Sequence, residues 1–144
     1  MKILTIGDVV GEAGLDALHA LLRRIKRDTG ADFVIVNGEN AAGNGVLPRQ
    51  AEDIFDAGAD VVTLGNHAFG KQQIVPYLDE HSDILRPANL APQSPGQGWG
   101  IFDGPQGSRL LVIDLIGRCN MDYGPENPFL MVDKILKEIT AKII

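Results

Sequence analysis

Five residues able to bind a hard metal ion or carry a proton stand just beyond three apolar runs: Asp8, Glu39 with Asn40, and Asn66 with His67. Carboxylate and amide oxygens suit divalent ions such as magnesium or manganese, and iron uses them when imidazoles join. Two clustered carboxylates without a cation repel, and one then tends to keep its proton. A metal removes that conflict. A carboxylate bridging two ions sets them roughly 3.5–4 Å apart, the spacing that clamps phosphoryl oxygens. An imidazole beside a ligating amide is placed to protonate a leaving alkoxide. Taken singly, each residue has a plainer reading. Asp8 can be a turn residue or helix cap, Asn37-Gly38 a turn, Glu39 a solvated acid and His67 a cap. The argument for chemistry is that all five meet at one place.

That meeting depends on the elements before them. Ile3 to Ile6, Phe33 to Val36 and Val61 to Leu64 are short, β-branched apolar runs that read as buried strands. Helical patterns separate them: residues 15–28, closed by Gly30; Pro48 to Ala57, closed by Gly58; and Lys71 to Glu80, limited or kinked by Pro76. Strands alternating with helices imply parallel pairing and right-handed crossovers. All three strand exits then share one edge, where open α/β sheets place ligands. The glycines in Gly38-Glu39-Asn40-Ala41-Ala42-Gly43-Asn44-Gly45 predict a flexible loop that lets the backbone approach a ligand.

Beyond His81 the pattern loosens. Residues 91–107 read as loops around a short hairpin or edge strand, and Leu110 to Ile116 as another strand. Asn127-Pro128 predicts an N-cap and first helical turn. Val132, Ile135, Leu136 and Ile139 form the apolar stripe of the last helix. Ile143-Ile144 resembles the opening of a further strand. His19 and His81 are expected to be ordinary surface or boundary residues.

The 144 residues suffice for a single domain over 1–144 with a real core. The absence of a signal-peptide pattern and the lone Cys119 fit a reducing cytoplasm, and no apolar run approaches a membrane span. A net charge of −6 argues against bulk nucleic-acid binding but not against a small phosphorylated substrate whose metal inverts the local field. Arg23, Arg24, Lys26 and Arg27 read as a solvated helix face.

GDVVGEAG, VNGENAAGNG and TLGNHAFG together resemble the YmdB-like branch of the calcineurin-type metallophosphoesterases. The likeness continues through RPANLAP, Leu115 to Arg118 and Glu126 to Phe129. It implies an α/β layered sandwich with a mostly parallel sheet and a two-metal site of iron, manganese or magnesium. It also implies a phosphodiesterase acting on small phosphorylated substrates, 2′,3′-cyclic nucleotides among them. By the same resemblance Asp8 binds the first metal, Glu39 bridges both, Asn40 and Asn66 bind the second, and His67 is the proton donor. Family members are longer and draw three more histidine ligands from a further segment. The chain is therefore expected to be the N-terminal portion of that fold, truncated, with activity on its own weak or absent. Apolar surface left bare where that segment would pack favours a homo-oligomer. Two positions depart from the family pattern: Gly70 follows Phe69 where an acid is usual, and Cys119-Asn120 replaces an apolar stretch.

Two other readings compete. A non-catalytic metal- or phosphate-binding or regulatory module would keep the fold without turnover. A dinucleotide-binding fold is suggested by glycines 7, 11 and 14, but their spacing is wrong for it, and Asp8 would oppose a pyrophosphate.

Overall fold

The computed structural model describes residues 1–121 and 124–143. Its order is β1 (Ile3–Ile6), α1 (Gly11–Thr29), β2 (Phe33–Asn37), α2 (Pro48–Ala57), β3 (Val61–Thr63), α3 (Ile74–Glu80) and β4 (Ile84–Leu85). A hairpin follows, β5 (Trp99–Asp103) and β6 (Arg109–Ile113), then α4 (Pro128–Ile143). The first four strands form one parallel sheet in the order β1-β2-β3-β4. The expected layered, mostly parallel α/β architecture is the one found.

Strand alternation divides the core in two. Val34, Val36, Val62 and Ile84 face α1, α2 and α3, where Leu15, Leu18, Leu22, Ile54, Ile74 and Leu78 are buried. Phe33, Val61 and Leu85 face the opposite way, onto Leu110 and Val112 of the hairpin. The sheet is thus covered on both faces as its composition requires, by helices on one side and two antiparallel strands on the other. That second cover stops short of β1, where Ile3 is exposed.

Helix ends follow local chemistry. Gly30 and Gly58 close α1 and α2 in the left-handed conformation. The α1 helix starts at Gly11, earlier than its apolar spacing predicts, and Val10 provides no side-chain cap. Pro76 causes no break, because α3 starts only at Ile74 and the proline falls in the first turn, where its missing N–H is not needed. Asn127 does cap α4, its Oδ1 accepting from Phe129 N at 3.0 Å. The inward face of α4 is Met131 and Ile135; Leu136, assigned to the stripe from spacing, points outward. Residue 143 continues α4 rather than opening a strand, and Ile144 lies outside the described residues.

The basic run is largely solvated, with Arg23, Arg24 and Arg27 exposed, and two of its residues also bond to neighbouring elements. Arg23 donates to Asp56 O, and Lys26 pairs with Asp60 at 2.9 Å. His19 is exposed, and His81 stacks on Tyr77 at the end of α3. Among the described residues no helix is long and apolar enough to cross a membrane.

Candidate functional site

The three strand exits stay knitted together beyond the sheet. Val9 N donates to Asn37 O, Gly11 N to Asn40 O, and Gly38 N to Thr63 O, each at 3.0–3.1 Å. The loop after β2 is also bonded to itself: Ala42 N to Gly45 O, Gly43 N to Asn40 O and Gly45 N to Glu39 O. Gln50 of α2 clamps it further, donating to Ala41 O. The flexible loop expected from the glycines is therefore a compact turn. Its glycines serve close approach, since a Cβ at Gly45 would meet Lys71 and one at Gly70 would meet the backbone of Asn44. This explains Gly70 after Phe69: an acid there would collide with the neighbouring loop.

Within this frame Asp8, Asn40 and His67 form a hydrogen-bonded chain. Asn40 Nδ2 donates to Asp8 Oδ1 at 2.8 Å, and Asn40 Oδ1 faces His67 Nδ1 at 2.9 Å. The polarity follows from Asp8. An ionised carboxylate only accepts, so the amide must turn its NH₂ toward Asp8 and its oxygen toward the ring. His67 Nδ1 must then carry the proton, leaving Nε2 as the nitrogen that exchanges one. Asp8 holds this position at φ 41°, in the left-handed region, although it is not glycine. Such strain persists where the surroundings enforce it and points to a used side chain.

Glu39 joins from the next exit. Its Oε2 accepts from His67 N at 3.2 Å, and its carboxylate lies directly over Gly65. Any Cβ at position 65 would occupy the space of that carboxylate. Asn66 shares the same turn but lines a cavity with Ala68, Phe69, Leu90, Ala91 and Ser94. Four of the five residues picked out from sequence are thus joined by hydrogen bonds, and Asn66 is adjacent to them along the chain.

Charge and burial single out a residue the sequence did not. Asp114, just past β6, is buried, and its Oδ2 accepts from Leu64 N at 3.0 Å. Burial, reinforced by Glu39, raises its carboxyl to about 7, against the opposing backbone bonds from Leu64 and Leu115. Arg86 is buried as well, and burial lowers its guanidinium, with Asp114 opposing. The sequence places Asp114 only within a strand and Arg86 only at the head of the family-like stretch RPANLAP.

A metal fits the donors on one test. The Glu39 carboxylate has a cradle, at Gly65, that a Cβ would fill, and Asp8 and Glu39 are the hard oxygen donors a divalent ion takes. Asn40 fits less well, because its amide oxygen already faces His67 Nδ1. Among the described residues no three His, Cys, Asp or Glu side chains gather as a complete ligand set.

The fold and site define a layered α/β protein with acid, amide and imidazole groups gathered at the exit edge of a parallel sheet. The family model described as YmdB-like protein matches residues 4–144, and the chain belongs to that family. It is 37% identical over 143 residues to a Bacillus subtilis 2′,3′-cyclic-nucleotide 2′-phosphodiesterase, covering 99% of this chain and 53% of that protein. A hypothetical protein from Thermus thermophilus superposes with a TM-score of 0.86 at 37% identity, over 96% of this chain and 53% of the other. A novel phosphatase from Mycoplasma pneumoniae gives 0.82 at 30% identity, over 99% and 51%. The chain spans about half the length of the relatives it matches.

Proposed function

We propose that this chain supplies one side of a metal-dependent phosphodiesterase site acting on small phosphate esters, 2′,3′-cyclic nucleotides among them, in the cytoplasm. The observation that carries the reading is the Asp8–Asn40–His67 chain with Glu39 bonded to the same turn. The Bacillus subtilis relative, named for that activity, supports the substrate class.

Asp8 and Glu39, with Asn66 beside them, would hold divalent ions of iron, manganese or magnesium, while Asn40 keeps its amide oxygen on the ring. Bound there, such ions neutralise charge on the phosphoryl oxygens and lower the pKa of water. The chain's own residues do the rest. Asp8 fixes Asn40, and Asn40 fixes the ring of His67 with Nδ1 protonated. Nε2 then faces away from the amide: with the ring as an imidazolium, protonated at both nitrogens, Nε2–H gives its proton to the leaving alkoxide and the ring returns to the neutral Nδ1–H form. Glu39 anchors the turn through His67 N, so the proton donor and the carboxylate are held in one rigid unit.

The test is hydrolysis of 2′,3′-cyclic AMP and bis(p-nitrophenyl) phosphate with added Mn²⁺, using the chain and its Asp8→Ala and His67→Ala variants. The reading expects any activity to vanish in both variants. Activity that survives both changes contradicts it. Stoichiometric metal binding without turnover would favour the non-catalytic module.

A further inference from the structure

Three polar or charged residues are buried in the described chain, Arg86, Asn89 and Asp114, at 7%, 0% and 7% exposure. Burying such groups is unfavourable unless they are well bonded. Their bonds brace the two segments that flank one cavity. Arg86 donates to Pro87 O, Ser94 O and Pro95 O at 2.8, 3.3 and 3.4 Å, pinning the 87–95 loop from beneath. Asn89 ties the same loop to Ile116 and Glu126 through Ile116 O, Glu126 O and Ile116 N, at 2.8–3.0 Å. Asp114 holds Leu64 N, where the opposite wall begins. That wall is the turn carrying Asn66, Ala68 and Phe69; the pinned loop contributes Leu90, Ala91 and Ser94.

The cavity, open on one side, has a volume of about 160 Å³. That is roughly half the lower end of the range for whole drug-sized ligands, so it takes one ring system. Its lining is mostly apolar and includes the aromatic Phe69, with Asn66 and Ser94 as its polar residues. A flat ring with apolar faces and a polar edge matches that lining. The cavity also shares Asn66 with the reacting site, and Ala68 and Phe69 directly follow His67 in sequence.

We infer that this cavity seats the base of a nucleotide substrate, with the ring against Phe69 and its polar edge toward Asn66 and Ser94. The inference rests on the phosphodiesterase reading and adds to it the element that would select nucleotides over simple phosphate esters. The pinned loop makes the seat preformed, so little ordering is needed on binding.

The test titrates the isotopically labelled chain, in separate arms, with adenosine, D-ribose and Mn²⁺. Adenosine at millimolar concentration should shift the amide resonances of Ala68, Phe69, Leu90 and Ala91, and ribose should not. Ala91→Trp, which fills the cavity from an exposed position, should weaken adenosine binding at least tenfold while leaving the Mn²⁺ response intact. Phe69→Leu keeps apolar bulk without a stacking face and should weaken adenosine binding several-fold. Adenosine shifts confined to other residues, or equal affinity in both variants, overturn the inference. A chain that binds adenosine here but shows no Mn²⁺ effect at Asp8 and Glu39 supports the ring seat and defeats the metal reading, so the two failures are separable.

Discussion

Asp8 sets the protonation geometry of His67 without touching it. The carboxylate accepts from Asn40 Nδ2, which turns Asn40 Oδ1 toward the ring and requires a proton on Nδ1. Two strand exits thereby govern the reactive nitrogen of a third.

In ¹⁵N-detected NMR, neutral His67 should therefore show the Nδ1-protonated tautomer. Asp8→Ala frees the amide to flip and should move His67 toward the commoner Nε2-protonated form. An Nε2-protonated ring in the unaltered protein would remove the relay.

Gly65 is needed because the Glu39 carboxylate occupies the space of its missing side chain. Gly65→Ala should displace Glu39, destabilise the fold by about 1–3 kcal/mol through overpacking, and weaken Mn²⁺ binding at least tenfold. Denaturant unfolding and a metal titration read the two effects. Unchanged metal affinity would show that Glu39 does not need its cradle.

Asp114 should make stability depend on pH. Its carboxyl is raised from 3.8 to about 7, so the folded state holds that proton more tightly than the unfolded one. Stability is then greatest below the unfolded value and falls as pH climbs from about 4 to about 7. The full difference corresponds to at most about 4 kcal/mol. Asp114→Asn has no charge to bury, so the variant should gain on the unaltered protein as pH rises from 4 to 8. Parallel stability curves across that range would contradict the assignment.

The buried Asn89 side chain makes three hydrogen bonds, two of them fully buried, that no smaller residue replaces. Asn89→Ala should lower stability by about 2–4 kcal/mol, since the groups left behind are desolvated and unpaired. Thermal or denaturant unfolding measures this, and a loss below 1 kcal/mol would mean that water repairs the site.

Much of this arrangement was legible in the sequence because periodicity is a local signal. The strands at Ile3, Phe33 and Val61, the Pro48 start and the Gly30 and Gly58 stops all reflect rules that act within a few residues. The strand Ile84–Leu85 was not legible, since two residues carry no alternation. The outward turn of Leu136 depends on which side of α4 meets the hairpin, which spacing alone does not define. The loop of Gly38 to Gly45 looked mobile because what holds it, bonds to itself and from Gln50 and close packing on the turn at Gly70-Lys71, is invisible in composition. Asp114 and Arg86 were missed for a related reason. Each owes its burial to packing between elements far apart in sequence.

The central claim is that separate strand exits present their donors to one bound cation. Paramagnetic Mn²⁺ titrated into the labelled chain tests it most directly, because broadening marks the residues near the ion. The account predicts selective loss of signal from Asp8, Glu39, Asn40, Asn66 and His67, abolished by Asp8→Ala with the fold intact. Broadening spread over surface acids such as Asp16, Glu52 and Asp103, with those five signals untouched, would contradict it.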